Sequence, residues 1–296
     1  MSIADQIPVR QSPTCGKLFF SFLRLGLTAF GGPAMVAYIK RLVVDREHWI
    51  DEESFSEGVS FCQMVPGATA MQTAAYAGLR IRGWIGALVA FVGFGLPAFF
   101  IMLILSSLYV QTVALPSSLA IFRGLQVITV AIIASAAVSF GRLYLKKWIH
   151  GILAIIAAVL FFFGMSPIIV ILLAGLLGYL FAHEETPASH SKHLVTDGTV
   201  TRAFLCLIAI AASMYLLLFL FRRDLFDLAL TMTSIDIFAF GGGFTALPLM
   251  FHQVVDVHSW LDSSTFLNGI ALGQVTPGPI VITATFVGYL IVGRRA

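Results

Sequence analysis

Phe30-Gly31-Gly32, Trp49-Ile50-Asp51, Phe55, Gly58, Gln63 and Pro66-Gly67 recur in the same order as Phe240-Gly241-Gly242, Trp260-Leu261-Asp262, Phe266, Gly269, Gln274 and Pro277-Gly278. From Trp49 to Gly67 each position pairs with the one 211 residues later, and 7 of these 19 pairs are identical; the Phe-Gly-Gly triplets align at 210. One structural unit is therefore used twice. Both copies interrupt apolar sequence with Gly or Pro, and matched interrupted segments in two halves of a membrane chain point to a transporter's binding site.

Working outward, the chain of 296 residues is 58% hydrophobic and 11% charged, with mean hydropathy +0.93. Soluble domains average about 25% charged. The expectation is an all-α polytopic membrane protein of two homologous, inverted repeats with broken or re-entrant helices. Net charge is +3, and the cations sit mostly at the ends of apolar runs, which suits topology-setting loops better than a nucleic-acid surface. Cys15, Cys62 and Cys206 share no metal or disulfide spacing. Residues 1–16 carry no apolar core of a signal peptide. No cofactor is expected.

Apolar runs long enough to be read as crossings cover 58–79, 84–110, 119–140, 148–163, 167–182 and 203–221. The shorter runs 18–30 and 225–240 end at glycine clusters, and the segments after those clusters, 34–49 and 246–260, read as interfacial or re-entrant. Trp49 and Trp260 suit the headgroup level, and Asp51 and Asp262 stand where helices start. The expected division is a first repeat over 1–182, a polar linker over 183–202 and the front part of a second repeat over 203–296. His183, His190 and His193 fall in the linker, where a solvated loop is favoured over a metal site.

If each run crosses once, seven crossings separate the two copies, and an odd number inverts them. Arg80, Arg82, Arg142, Lys146, Lys147, Lys192 and Arg202 then share one side, cytoplasmic by the positive-inside rule, whereas Arg222 and Arg223 fall on the other.

A broken helix exposes unpaired N–H groups and partial positive charge at the start of its second half, which favours anions. The candidate breaks are Gly31-Gly32-Pro33, Pro66-Gly67, Gly241-Gly242-Gly243 and Pro277-Gly278-Pro279. The alternative for any single break is a packing kink. Gln63, Thr69, Gln72 and Thr73 in the first copy and Gln274, Thr276, Thr283 and Thr285 in the second supply amide and hydroxyl donors for an oxyanion. Arg24 is a candidate anion-attracting cation, and Asp236 a candidate proton-coupling group or partner of Arg24. Snorkelling of Arg24 and a surface position for Asp236 are the alternatives. Arg123 and Glu57 are weaker candidates near helix ends. The chain has no Walker loop, no intramembrane histidine pair and no clustered triad, so catalysis is not expected.

Phe30-Gly31-Gly32-Pro33, Gln63-Met64-Val65-Pro66-Gly67, Gly83-Trp84-Ile85-Gly86-Ala87 and Gly95-Leu96-Pro97 resemble the first half of the chromate ion transporter family. Phe240-Gly241-Gly242-Gly243, Leu247-Pro248, Gly273-Gln274-Val275-Thr276-Pro277-Gly278-Pro279 and Ile282-Thr283-Ala284-Thr285-Phe286-Val287-Gly288-Tyr289 resemble its second half. The resemblance spans nearly the whole chain. It implies a multi-pass protein of the bacterial inner membrane that exports chromate on the proton motive force and confers chromate resistance, with sulfate, of the same charge and shape, as the open alternative substrate. Ala68 stands where the family commonly has a second proline, and Ile235-Asp236 replaces a more usual Lys or neutral residues. The family's second half normally runs further than Gly293-Arg294-Arg295-Ala296, so a truncated product or a short form completed by homodimerisation is expected. A transporter of another anion and a non-transporting membrane subunit are the competing readings.

Overall fold

The computed structural model describes residues 13–30, 34–113, 115–181 and 198–293, and among these it is all helix and turn. Helix α1 (Cys15–Thr28) starts at Thr14, whose hydroxyl accepts from the Lys17 N–H at 3.2 Å. Leu18, Phe22 and Gly26, spaced by four, form its buried face. Helix α2 (Ala34–Lys40) runs into a wide π turn, Arg41–Arg46, and doubles back along α1, so that Lys17 pairs with Glu47 at 2.6 Å. Helix α3 (Glu52–Met64) is capped by Asp51, which accepts from the Ser54 N–H at 2.8 Å.

Helix α4 (Thr69–Thr112) is two arms on either side of Arg82 and Gly83, both non-helical. The arms lie against each other: a Cβ on Gly78 would stand 2.1 Å from the Gly86 carbonyl oxygen. The first arm also folds back on α3, because a Cβ on Gly58 would overlap the Tyr76 ring and the Tyr76 hydroxyl donates to the Ser54 carbonyl at 3.0 Å. The run 58–79, expected as one crossing, is thus two short helices joined by a hairpin at 65–68. Pro66 has no N–H to continue a helix, and Gly67 has φ 117°, which reverses the chain.

Four apolar helices follow: α5 (Pro116–Tyr144), α6 (Trp148–Phe162), α7 (Pro167–Phe181) and α8 (Gly198–Phe221). Residues 183–197 of the expected linker lie outside the described residues. The second copy then repeats the first: α9 (Arg223–Phe238), α10 (Gly243–Phe251), a π turn His252–Val257, α11 (Ser263–Val275), a single 3-10 turn Ile280–Ile282 and α12 (Thr283–Gly293). The repeat holds at atomic detail. His48 and Ser259, 211 apart, both have φ 49°; Gly67 and Gly278 have φ 117° and 115°. Trp49 N–H donates to Val43 and Trp260 N–H to Val254, each at 2.8 Å. The two cores use equivalent positions, Ile39, Val43, Ile50 and Phe55 in one, Met250, Val254, Leu261 and Phe266 in the other.

The second arm of α4 fixes how the copies face. Its start meets the start of α1, where Arg82 donates to the Cys15 sulfur at 3.1 Å. Phe94 lies against Gly26, Ala98 against Gly278, and Met102 against Gly273. Near its end Tyr109 accepts from Asn268 at 3.1 Å. Helix α1 therefore runs parallel to the arm and α11 antiparallel, so the open ends of the two hairpin sets lie at opposite ends of the arm and their tips meet near its middle. Inversion follows from this arm rather than from seven single crossings, since the hairpins turn back.

Among the described residues, two stretches, Thr69–Thr112 and Ala120–Arg142, are long and apolar enough to cross a membrane by length and composition. Around α5, α6 and α8 large apolar side chains such as Val127, Ile155, Phe162 and Leu220 point outward, a surface suited to lipid.

Candidate functional site

The hairpin tips of the two copies are tied crosswise. The Gly67 N–H donates to the Ala239 carbonyl at 2.9 Å, and the Gly278 N–H donates to the Ala29 carbonyl at 2.9 Å. Each Pro-Gly turn thus satisfies the end of the helix before the other copy's glycine cluster. In an apolar setting such backbone groups need partners. Both turns are additionally braced. Gln72 Nε2 donates to the Pro66 carbonyl at 2.6 Å, and Thr276 Oγ1 donates to the Leu272 carbonyl at 2.8 Å.

Beside this crossing lies a cavity of about 770 Å³. Its inner end is formed by Thr69 and Ala70 at the start of α4, by Gly241–Gly243 at the start of α10, and by Pro279 and Ile280. Neither helix start has a side-chain cap, unlike those of α1, α3 and α11. A Cβ on Gly242 would stand 3.2 Å from Thr69 Oγ1, which puts the two helix starts in contact. The starts of both helices, with Thr69, therefore line one end of the cavity, and the positive ends of helices suit an anion. The outer end is acidic. Glu52, Glu53 and Glu57 line it with Ser56, Ser60 and Gln63, and Lys40 pairs with Glu52 at 2.5 Å.

Of the residues singled out by sequence, Gln63, Thr69, Gly241, Gly242 and Gly243 come together around the cavity. Pro66, Gly67, Pro277 and Gly278 form the crossed tips, with Gly67, Pro277 and Gly278 buried. Gln274 lies on the last turn of α11, and its Nε2 is buried with no hydrogen-bond partner. Gly31 and Gly32 lie outside the described residues. Arg24 is on an exposed face of α1, Asp236 is exposed on the last turn of α9, and neither lines the cavity. Among the described residues no group of three His, Cys, Asp or Glu side chains could hold a metal.

Sequence reasoning missed Ala29 and Ala239, whose carbonyls take the crossing hydrogen bonds; an alanine's backbone carries no compositional signal. The polar face of α3 was visible in principle, since positions 53, 56, 57, 60 and 63 follow helical spacing.

The model of a chromate transporter family matches residues 16–179 and 226–296, which take in most of both structural copies and the helices α4 to α7 but not α8. The chain is 40% identical over 291 residues to an uncharacterised transporter of Methanocaldococcus jannaschii, covering 98% of this chain and 72% of the relative. It is 33% identical over 282 residues to a chromate transport protein of Pseudomonas aeruginosa, covering 94% and 67%. It is 30% identical over 293 residues to a chromate transport protein of Cupriavidus metallidurans, covering 98% and 71%. No solved structure matches. With most of both copies inside the matched residues and the apolar outer surface explained by lipid, the chain is a membrane protein and belongs to the chromate transporter family.

Proposed function

We propose that this chain is a secondary transporter that exports chromate across a bacterial inner membrane, crossing it several times, with the anion held at the inner end of the cavity. The observation that carries the reading is the meeting of the uncapped starts of α4 and α10 at Thr69 and Gly242, where the positive ends of two helices and a hydroxyl line the cavity away from the acidic rim. Chromate and sulfate share charge and tetrahedral shape, so sulfate is expected to compete. The unpartnered Gln274 amide and the crossed Pro-Gly turns belong to the same junction, which alternating access would reopen on either side. Asp236 sits three residues before Ala239, whose N–H bonds back to the Asp236 carbonyl at 3.3 Å. The Asp236 carboxyl, on the last turn of α9 before the crossing and outside the cavity lining, is the group to which we assign the coupling proton.

The test is direct binding of chromate to the detergent-solubilised full chain, with sulfate as competitor. Thr69→Val removes one donor to a charged ligand, a loss of about 1.5–3 kcal/mol, or roughly ten-fold or more in affinity. Absence of binding for both anions, or binding indifferent to Thr69→Val, refutes this site.

A further inference from the structure

Lys40 ends α2 and Glu52 begins α3, and their side chains meet across the π turn at the outer end of the cavity, Nζ to Oε1 at 2.5 Å. Among the described residues that line the cavity, Lys40 is the one cationic side chain, and it stands against three carboxylates, those of Glu52, Glu53 and Glu57. A doubly charged anion on its way to the inner end therefore meets a net negative rim, which repels it. The starts of α4 and α10 carry only about half a charge each. Lys40 is the full positive charge that can offset the rim.

The shared architecture does not require the Lys40–Glu52 pair. In the second copy the positions 211 residues on are Phe251 and Ser263, again the last residue before a π turn and the first residue of the helix that follows it. Phe251 there meets Phe266 edge-on with centroids 5.5 Å apart, and Glu53 and Glu57 are matched by Ser264 and Asn268. The same turn closes without any of these charges, so the pair belongs to the cavity rather than to the fold. Its side chains are 38% and 73% exposed, and an ion pair so open to water adds little stability. It is readily exchanged for another partner.

We propose that Lys40 is the entry cation of this cavity and selects for doubly charged anions. The incoming anion takes the place of Glu52 at Lys40 Nζ: the hydrogen bond to the carboxylate opens, one to an anion oxygen forms, and the carboxylate turns to the water it already faces. Glu52 is thus a built-in competitor. A singly charged anion offers Lys40 no more charge than the carboxylate it must displace, whereas a dianion offers twice as much. The inference rests on the proposed oxyanion transport and adds to it an outer position, where charge is sorted before the anion reaches Thr69.

The test is equilibrium binding of chromate to the full chain in detergent at low ionic strength, with perchlorate, tetrahedral but singly charged, as competitor. Lys40→Gln is expected to weaken chromate binding about ten-fold, as for the loss of one charged donor, and Lys40→Arg to retain most of it. Glu52→Gln is expected to tighten binding several-fold by removing the competitor. Perchlorate is expected to displace chromate more readily from the Lys40→Gln chain than from the unaltered one. Weaker binding in Glu52→Gln assigns the pair a structural part and overturns the inference, and so does perchlorate competition indifferent to Lys40. Thr69→Val, measured alongside, separates this inference from the inner site. Loss with Thr69→Val but not with Lys40→Gln overturns the entry cation and leaves the inner site standing; loss with Lys40→Gln alone does the reverse. A chain that binds no chromate overturns both.

Discussion

Gly278 and Gly67 hold the same left-handed backbone but sit in different surroundings. A Cβ on Gly278 would stand 2.5 Å from the Ala98 Cβ, in the closely packed arm of α4, whereas one on Gly67 would meet only the Gln72 side chain at 3.1 Å. Both alanine substitutions carry the strain of φ above +100°, of order 1–3 kcal/mol. Gly278→Ala adds a clash with backbone-anchored atoms, so its thermal midpoint in detergent is expected to fall further than that of Gly67→Ala; the reverse order contradicts the packing described. A second residue carries a pH effect. The Thr265 hydroxyl and N–H hold the Asp262 carboxyl below its ordinary value of 3.8. Because the folded value is depressed, the cap's contribution is full above the unfolded value and is lost as pH falls through the folded one. Asp262→Asn, which keeps a capping side chain, is expected to flatten the loss of midpoint below about pH 4 while changing the neutral midpoint little. An unaltered acid limb speaks against the cap. Asp236→Asn is expected to abolish the pH dependence of transport without abolishing anion binding; equal loss of both assigns Asp236 a structural part.

At the scale of elements, the tips of the two hairpin sets form one junction. The Gly242 Cβ position lies 3.9 Å from the Thr69 Cβ, within the usual disulfide range of about 3.5–4.5 Å. Thr69→Cys with Gly242→Cys, in a chain lacking Cys15, Cys62 and Cys206, is expected to form a bridge under mild oxidation, seen as a mobility shift reversed by reductant. Failure to bridge refutes the close approach of α4 and α10. These elements were legible in the sequence to an uneven degree. The duplicated Trp-Asp-Phe-Gly-Gln-Pro-Gly pattern marked the Pro-Gly breaks, the caps at Asp51 and Asp262, and Gln63; the Phe-Gly-Gly triplet marked Gly241 to Gly243, and the hydroxyl beside the first Pro-Gly marked Thr69. The pattern did not show that the run 58–79 doubles back, because hydropathy measures apolar length and is blind to direction. The reversal depends on Gly58 accommodating the Tyr76 ring, a contact 18 positions apart in the chain. The crossing bonds to Ala29 and Ala239 were equally hidden, since they join backbone groups of separate copies.

For the whole molecule, the second arm of α4 sets the two copies in opposite directions. Glu53→Cys and Ser263→Cys, at the open ends of the first and second hairpin sets, are expected to be labelled by an impermeant maleimide from opposite sides of the membrane. The central claim is that an oxyanion passes through the junction of the tips. Its most direct measurement is radiolabelled chromate uptake by everted membrane vesicles carrying the Thr69→Cys/Gly242→Cys chain, before and after reduction and removal of the reductant. With chromate raised about ten-fold to offset the lost Thr69 hydroxyl, the account requires uptake to be blocked while the bridge is closed and to return when it is opened; equal uptake in both states would contradict it.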